Sequence, residues 1–170
     1  MIPSTTPARE PIGRERMILA IDPGTTESGY VIFCNDHVIG SGVRANADML
    51  EIVAMHGYDD IAIEMIASYG MAVGREVFET CVWIGRFVQA AKNPDAVKLV
   101  YRRDVKLHLC GTSKAKDANV RQAVIDLFPR LGGGKTPQIG TKAQPGPLYG
   151  VTSHAWPALA VAITAIGSAS

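Results

Sequence analysis

Two carboxylates interrupt segments that are otherwise apolar. In Met17-Ile18-Leu19-Ala20-Ile21-Asp22 an aspartate ends a near-continuous hydrophobic run; in Ile61-Ala62-Ile63-Glu64-Met65-Ile66 a glutamate sits inside one. Runs of this kind read as strands buried on both faces. An unpartnered carboxylate in such a place is costly, so each needs a cation or hydrogen-bond donors. If the two strands are neighbours, the acids face one another and raise each other's pKa unless a cation lies between them. A hard divalent ion held through oxygen, Mg2+ or Mn2+, meets both needs at once. For a single acid, a backbone cap or an arginine partner is the simpler account; two in succession favour the ion.

The third candidate is His154, in the stretch Val151-Thr152-Ser153-His154-Ala155-Trp156-Pro157. Pro157 has no N–H to donate and is tolerated only near a first turn, so the apolar helix after it begins close to Ser153 or His154. That puts His154 at the rim of the core. Alone, a histidine at a helix start is more often a cap or a surface residue. Beside two carboxylates it becomes a candidate metal ligand, general base or proton relay, because imidazoles as a class exchange protons near neutrality.

The elements that must position these three can be read from the hydrophobic pattern. Residues 17–22 form a first strand, Pro23 to Gly29 a turn, and Tyr30-Val31-Ile32-Phe33 a returning strand. A turn at Cys34-Asn35-Asp36-His37 leads to a third strand over Val38–Val43, making an antiparallel meander. A helix is expected over 46–57, a fourth strand over 61–66, a loop over Gly70–Gly74, and a helix over 75–91 with Val77, Phe78, Cys81, Val82, Ile84, Phe87 and Val88 at helical spacing. A fifth strand over 97–101, a short helix over 103–109 and a helix over 118–128 follow. Residues 129–151, rich in Gly, Pro and Lys, read as a long surface excursion, functional or mobile. The last helix, with Ala158-Leu159-Ala160-Val161-Ala162-Ile163, is apolar enough to be buried. The sum is a mixed-sheet α/β layer fold in one domain over 17–170, after a flexible tail over 1–16.

Composition bounds the function without choosing it. The chain has 170 residues, 47% hydrophobic and 19% charged, as an ordinary folded domain does. A net charge of +1 neither requires nor forbids nucleic acid, because a basic face can coexist with an acidic pocket. Three widely spaced cysteines, Cys34, Cys81 and Cys110, fit reduced thiols better than a disulfide framework or zinc site. No run is long enough to cross a membrane, and the first sixteen residues lack the apolar segment of a secretory signal, so a cytoplasmic protein is expected.

Four segments, Ala20-Ile-Asp-Pro-Gly-Thr-Thr-Glu-Ser-Gly-Tyr-Val-Ile-Phe33, Ile61-Ala-Ile-Glu-Met-Ile-Ala-Ser68, Gly111-Thr-Ser-Lys-Ala-Lys-Asp-Ala-Asn-Val-Arg-Gln-Ala-Val-Ile-Asp-Leu-Phe-Pro129 and Ser153-His-Ala-Trp-Pro-Ala-Leu-Ala-Val-Ala-Ile-Thr-Ala165, occur in this order. The ordered set resembles the RuvC-type Holliday junction resolvases and looks most like the RuvC-like enzymes of bacteriophages. The resemblance spans about residues 17–166, leaving the tail and the loop around 130–147 unmatched. It implies a ribonuclease H-like fold, with a five-stranded sheet whose first three strands are antiparallel, flanked by helices. It implies a homodimer that nicks a four-way DNA junction symmetrically, leaving 5′-phosphate and 3′-hydroxyl ends. Asp22 and Glu64 fall on the family's strand acids, His154 on an acidic position that some members fill with histidine, and Pro157 on the family's last aspartate. The last departure leaves a second metal ion short of a carboxylate, unless water, a DNA phosphate or Asp117 replaces it.

From this resemblance, Asp22, Glu64 and His154 are the expected catalytic and metal-binding residues, with two Mg2+ or Mn2+ ions about 4 Å apart. Lys114 and Lys116, in a loop before a helix, and Arg121 on that helix are candidate phosphate contacts; Arg102, Arg103, Lys135 and Lys142 are weaker ones. Tyr69 and Met71 could wedge between unstacked bases. Trp83 and Phe87, four apart with Phe78, Val82 and Val88 on the same helix, suggest apolar surface left over for a dimer. Two rivals stand beside this reading: a junction-binding protein without catalysis, and an ATP-binding domain of the actin and Hsp70 kind, whose phosphate loop Asp22-Pro-Gly-Thr-Thr resembles.

Overall fold

The computed structural model describes residues 15–168. The expected tail lies outside the described residues apart from Glu15 and Arg16, and Arg16 is ion-paired to Asp60 at 2.6 Å. Five strands, β1 (Met17–Asp22), β2 (Glu27–Cys34), β3 (His37–Ala45), β4 (Asp60–Met65) and β5 (Lys98–Tyr101), form one sheet in the order β3-β2-β1-β4-β5. β1, β2 and β3 are antiparallel neighbours, whereas β4 runs parallel to β1 and β5 parallel to β4. The helices are α1 (Asn46–Ala54), α2 (Arg75–Ala90), α3 (Arg102–Cys110), α4 (Asp117–Asp126) and α5 (Ala155–Gly167). The mixed five-stranded sheet with its antiparallel meander is the one expected from the sequence.

Alternation along the strands builds two cores. Ile18, Ala20, Val31, Phe33 and Ala62 face α5, with α3 and α4 beside it. Leu19, Ile21, Tyr30 and Ile63 face α1 and α2, where Met49, Val53, Ile84 and Phe87 meet them. This two-sided cover is why the central strands read as unbroken apolar runs.

Boundaries move by a few residues for local reasons. Asn35 and Asp36 both take positive φ (46° and 63°), a pair that suits a tight hairpin, so β3 starts at His37. α1 stops at Ala54 rather than 57, ahead of Gly57 at φ 118°. α4 ends at Asp126, short of the expected 128, because Pro129 restricts Phe128. The 129–151 segment carries no named element but is firmly tied. Gly132 N–H donates to the Pro137 carbonyl (2.7 Å), Leu148 N–H to that of Gln138 (2.8 Å) and Gly146 N–H to that of Ile139 (2.9 Å). Leu148 is fully buried against the α5 core, so this excursion is anchored through its own side chains. Finally, Phe87 is fully buried and Trp83 packs on it with ring centroids 5.9 Å apart. The apolar surplus of α2 lies instead at Phe78 and Val82, 60% and 63% exposed, which corrects the expectation placed on Trp83 and Phe87.

Candidate active site

β1 and β4 pair in parallel with Ala20 opposite Ala62 and Ile21 opposite Ile63, so one further step brings Asp22 level with Glu64. Both lie on the face that Ala20 and Ala62 turn toward α5. At the carboxyl ends of these strands Glu64 is buried and Asp22 half-buried, and the charge of Asp22 is felt at Glu64. His154, the residue before α5, arrives over the same edge, its Nδ1 3.0 Å from Asp22 Oδ2. The three residues singled out in the sequence therefore converge.

Two features of the backbone bring His154 there. Ser153 takes φ 47°, turning the chain sharply into α5. Gly29, opposite Asp22 on β2, leaves the space in which the His154 backbone lies: a Cβ there would meet the His154 carbonyl and stand 2.6 Å from its Cβ. The turn after Asp22 is fixed from below by two buried polar residues. Ser28 Oγ lies 2.6 Å from Asn46 Oδ1, while Asn46 Nδ2–H donates to the Gly24 carbonyl at 2.9 Å.

Sequence reasoning singles out neither that pair nor the central role of Arg102, which it ranks only as a weak phosphate contact. The Arg102 guanidinium lies on Glu64, Nη1 at 2.9 Å from Oε1 and 3.3 Å from Oε2, and its Nη2 lies 2.8 Å from Asp117 Oδ1. Asp117, the first residue of α4, is thus engaged with Arg102. The residue before α3 ends β5 (Tyr101), so Arg102 sits at the sheet edge beside β4; its position after a strand is the available signal.

The electrostatics follow from burial. Burial pushes the Asp22 carboxyl above its ordinary range, partly offset by the hydrogen bond from His154. Burial and then the charge of Asp22 push Glu64 up to about 7, against the opposing pull of Arg102. For Arg102 burial works against the charged form, but Glu64 and Asp117 outweigh it and hold the guanidinium firmly protonated. With Asp22 ionised it can only accept, so Nδ1 of His154 carries the hydrogen, and in the neutral form of the ring Nε2 is then the nitrogen with the lone pair.

Among the described residues no three His, Cys, Asp or Glu side chains stand as a ready ligand group. Arg102 covers one side of Glu64 and the imidazole hydrogen-bonds Asp22. Even so, burial holds both carboxyls above their ordinary pKa. Two adjoining carboxyls of this kind fit a hard divalent cation. A cleft of about 460 Å3 opens onto Asp22, with Thr25, Glu27, Arg102, Asp117 and His154 also in its wall, while Glu64 faces a neighbouring cleft.

The candidate DNA contacts are more dispersed. Arg121 lies over the Trp156 ring at 4.6 Å and shares a second cleft, of about 360 Å3, with Glu64, Arg102 and Pro157. Tyr69 is exposed at φ 48° and borders a third cleft with Arg102, Arg103 and Lys106. Lys114 and Lys116 are exposed in the loop before α4.

No protein-family model and no curated protein sequence matches the chain. Solved structures do. The structure of Thermus thermophilus RuvC matches with a TM-score of 0.63 and 20% identity, over 90% of this chain and 95% of that one. A second T. thermophilus RuvC structure, in complex with Holliday junction substrate, matches with the same score and identity over 91% and 94%. With nearly full mutual coverage at that score, this chain has the RuvC-type fold, a mixed five-stranded sheet flanked by helices.

Proposed function

We propose that this protein is a structure-selective endonuclease, of the kind bacteriophages carry, that resolves four-way and related branched DNA by metal-dependent phosphodiester hydrolysis. The observation that carries the reading is the convergence of Asp22, Glu64 and His154 at the carboxyl edge of β1 and β4, in a fold shared with a protein solved on Holliday junction substrate.

Asp22 and Glu64 are the groups that hold the ion. When bound, Mg2+ or Mn2+ supplies neutralisation of phosphate charge and acidity for a bound water. His154, fixed through Nδ1 on Asp22, offers Nε2 to take the proton that the attacking water loses as the new P–O bond forms and the bond to the 3′-oxygen breaks; solvent reprotonates that oxygen. Lys114, Lys116 and Arg121 hold phosphates, and Tyr69 stands at the branch. Two such sites on one junction require two copies of the chain, and the exposed Phe78 and Val82 of α2 give a homodimer its apolar contact.

A synthetic four-way junction incubated with Mg2+ or Mn2+ tests the reading directly. Paired nicks are expected from the native protein, with losses of at least ~100-fold for Asp22→Asn and Glu64→Gln, whose removed charges are those asked to hold the ion. One observation favours a second reading, a junction binder without catalysis: Arg102 already neutralises Glu64. Tight junction binding with no nicking in either metal would establish that alternative.

A further inference from the structure

Arg102 reaches two acids at once. One guanidinium nitrogen spans both oxygens of Glu64, and the other lies on Asp117. It is also common to the two clefts that meet at the carboxyl edge, each of which has Pro157 in its wall. In this part of the site the first turn of α5 offers Trp156 and Pro157, neither of which carries an atom that could ligate a divalent ion. A fixed positive group therefore stands where an ion on the far side of Glu64 would have to be held.

The charge pattern points the same way. Asp22, Glu64 and Asp117 bring three carboxylates to a set of direct contacts that contains one guanidinium, with His154 hydrogen-bonded to Asp22. Fully ionised, the three acids and Arg102 carry a net of two negative charges, which one divalent ion cancels. A second ion would leave the buried edge strongly positive before any DNA arrives. It would also crowd a guanidinium that has no route to neutrality.

We propose that Arg102 is the built-in second cation of this site, so that each protomer holds one divalent ion, between Asp22 and Glu64, rather than two. This rests on the metal-dependent reading above. Arg102 is then a positioning residue. It fixes the Glu64 carboxylate with one edge turned toward the ion, and Asp117 fixes Arg102 in turn. The Asp117 tie also joins the site to the start of α4, directly after Lys114 and Lys116, so the phosphate-contacting loop and the ion-holding carboxylate share one anchor.

The test is a titration of the full chain with MnCl2, reading bound Mn2+ per protomer by electron paramagnetic resonance, with no DNA cleavage involved. The native protein is expected to saturate at one ion, and Asp22→Asn at none. Arg102→Gln, which frees Glu64 and Asp117 as oxygen ligands, is expected to take up a second ion. Arg102→Lys, which keeps the charge, is expected to stay at one. Circular dichroism checks that each variant is folded; should Arg102→Gln fail to fold, the native stoichiometry and Arg102→Lys still decide. Two ions on the native protein overturn this inference and leave the metal-nuclease reading standing. No ion on the native protein overturns both. A folded Arg102→Gln that still binds one ion overturns the role given to Arg102.

Discussion

Glu64 is the residue whose chemistry is most altered by its surroundings. Its carboxyl is pushed from the ordinary 4.5 up to about 7, chiefly by burial and then by Asp22. Between those values the folded chain binds more protons than the unfolded one, so stability falls as pH rises. The contribution is fully present below the ordinary carboxyl range and is lost as pH rises through about 7. Melting temperatures from pH 5 to pH 8 should therefore show Glu64→Gln gaining on the native protein toward alkaline pH; parallel curves would refute the shift. Asp60 behaves in the opposite sense, because Arg16 holds its carboxyl below the ordinary range and that contribution is lost only in acid. Gly29 is the other residue whose role is sharply defined. Gly29→Ala must push the His154 backbone away from Asp22, costing roughly 1–3 kcal/mol in stability as overpacking does. It should also reduce junction cleavage well beyond what a partly unfolded population explains, measured on protein shown to be folded by circular dichroism. At this scale Asp22 and Glu64 are legible in the sequence because each breaks an apolar run, and His154 because it stands at the start of an apolar helix beside them. Gly29 and the Ser28–Asn46 pair are not, since their partners lie far away in the chain and small or polar residues near turns raise no alarm.

The elements show where pattern suffices and where it stops. All five strands and all five helices stand close to where hydrophobic periodicity puts them, because each buries a face against one of two cores. Their ends depend on left-handed residues and on prolines, which shift a boundary without changing the stripe. Periodicity also cannot say which side of α2 is covered. Trp83 and Phe87 are the natural candidates for an interface, being large and four apart, but the sheet claims Phe87 and Arg86 stacks on the Trp83 ring at 4.0 Å. Phe78 and Val82 are what α2 offers to a second copy. Val82→Glu should accordingly leave the stability of the isolated chain within about 0.5 kcal/mol of native, as surface changes usually do. It should convert the proposed homodimer to monomer in sedimentation velocity at micromolar concentration. A dimer that survives both Val82→Glu and Phe78→Glu places the contact elsewhere.

At the scale of the whole molecule, a net charge of +1 gives no general attraction to DNA, so affinity for a junction must come from where the cations are held. Residues 129–151 contain Arg130, Lys135 and Lys142 and not one acid. A segment of that composition reads in sequence as loose, which ranks its contribution low. Its backbone ties and the burial of Leu148 change that weighting, because three like charges on a fixed frame can meet phosphates without first being ordered. The segment also runs directly into Ser153 and His154, so whatever it grips is gripped close to the reacting edge. Replacing Arg130, Lys135 and Lys142 together by Gln should therefore weaken junction binding at low salt and flatten its salt dependence. The slope of log affinity against log salt should fall by up to ~0.9 for each phosphate that is no longer neutralised. The change should leave Mn2+ binding and the melting temperature nearly untouched, since none of the three charges is ion-paired to the site. An unchanged slope assigns the junction to Lys114, Lys116 and Arg121 alone. A fallen slope with intact metal binding separates holding the DNA from cutting it, and places the two tasks on adjoining stretches of one chain.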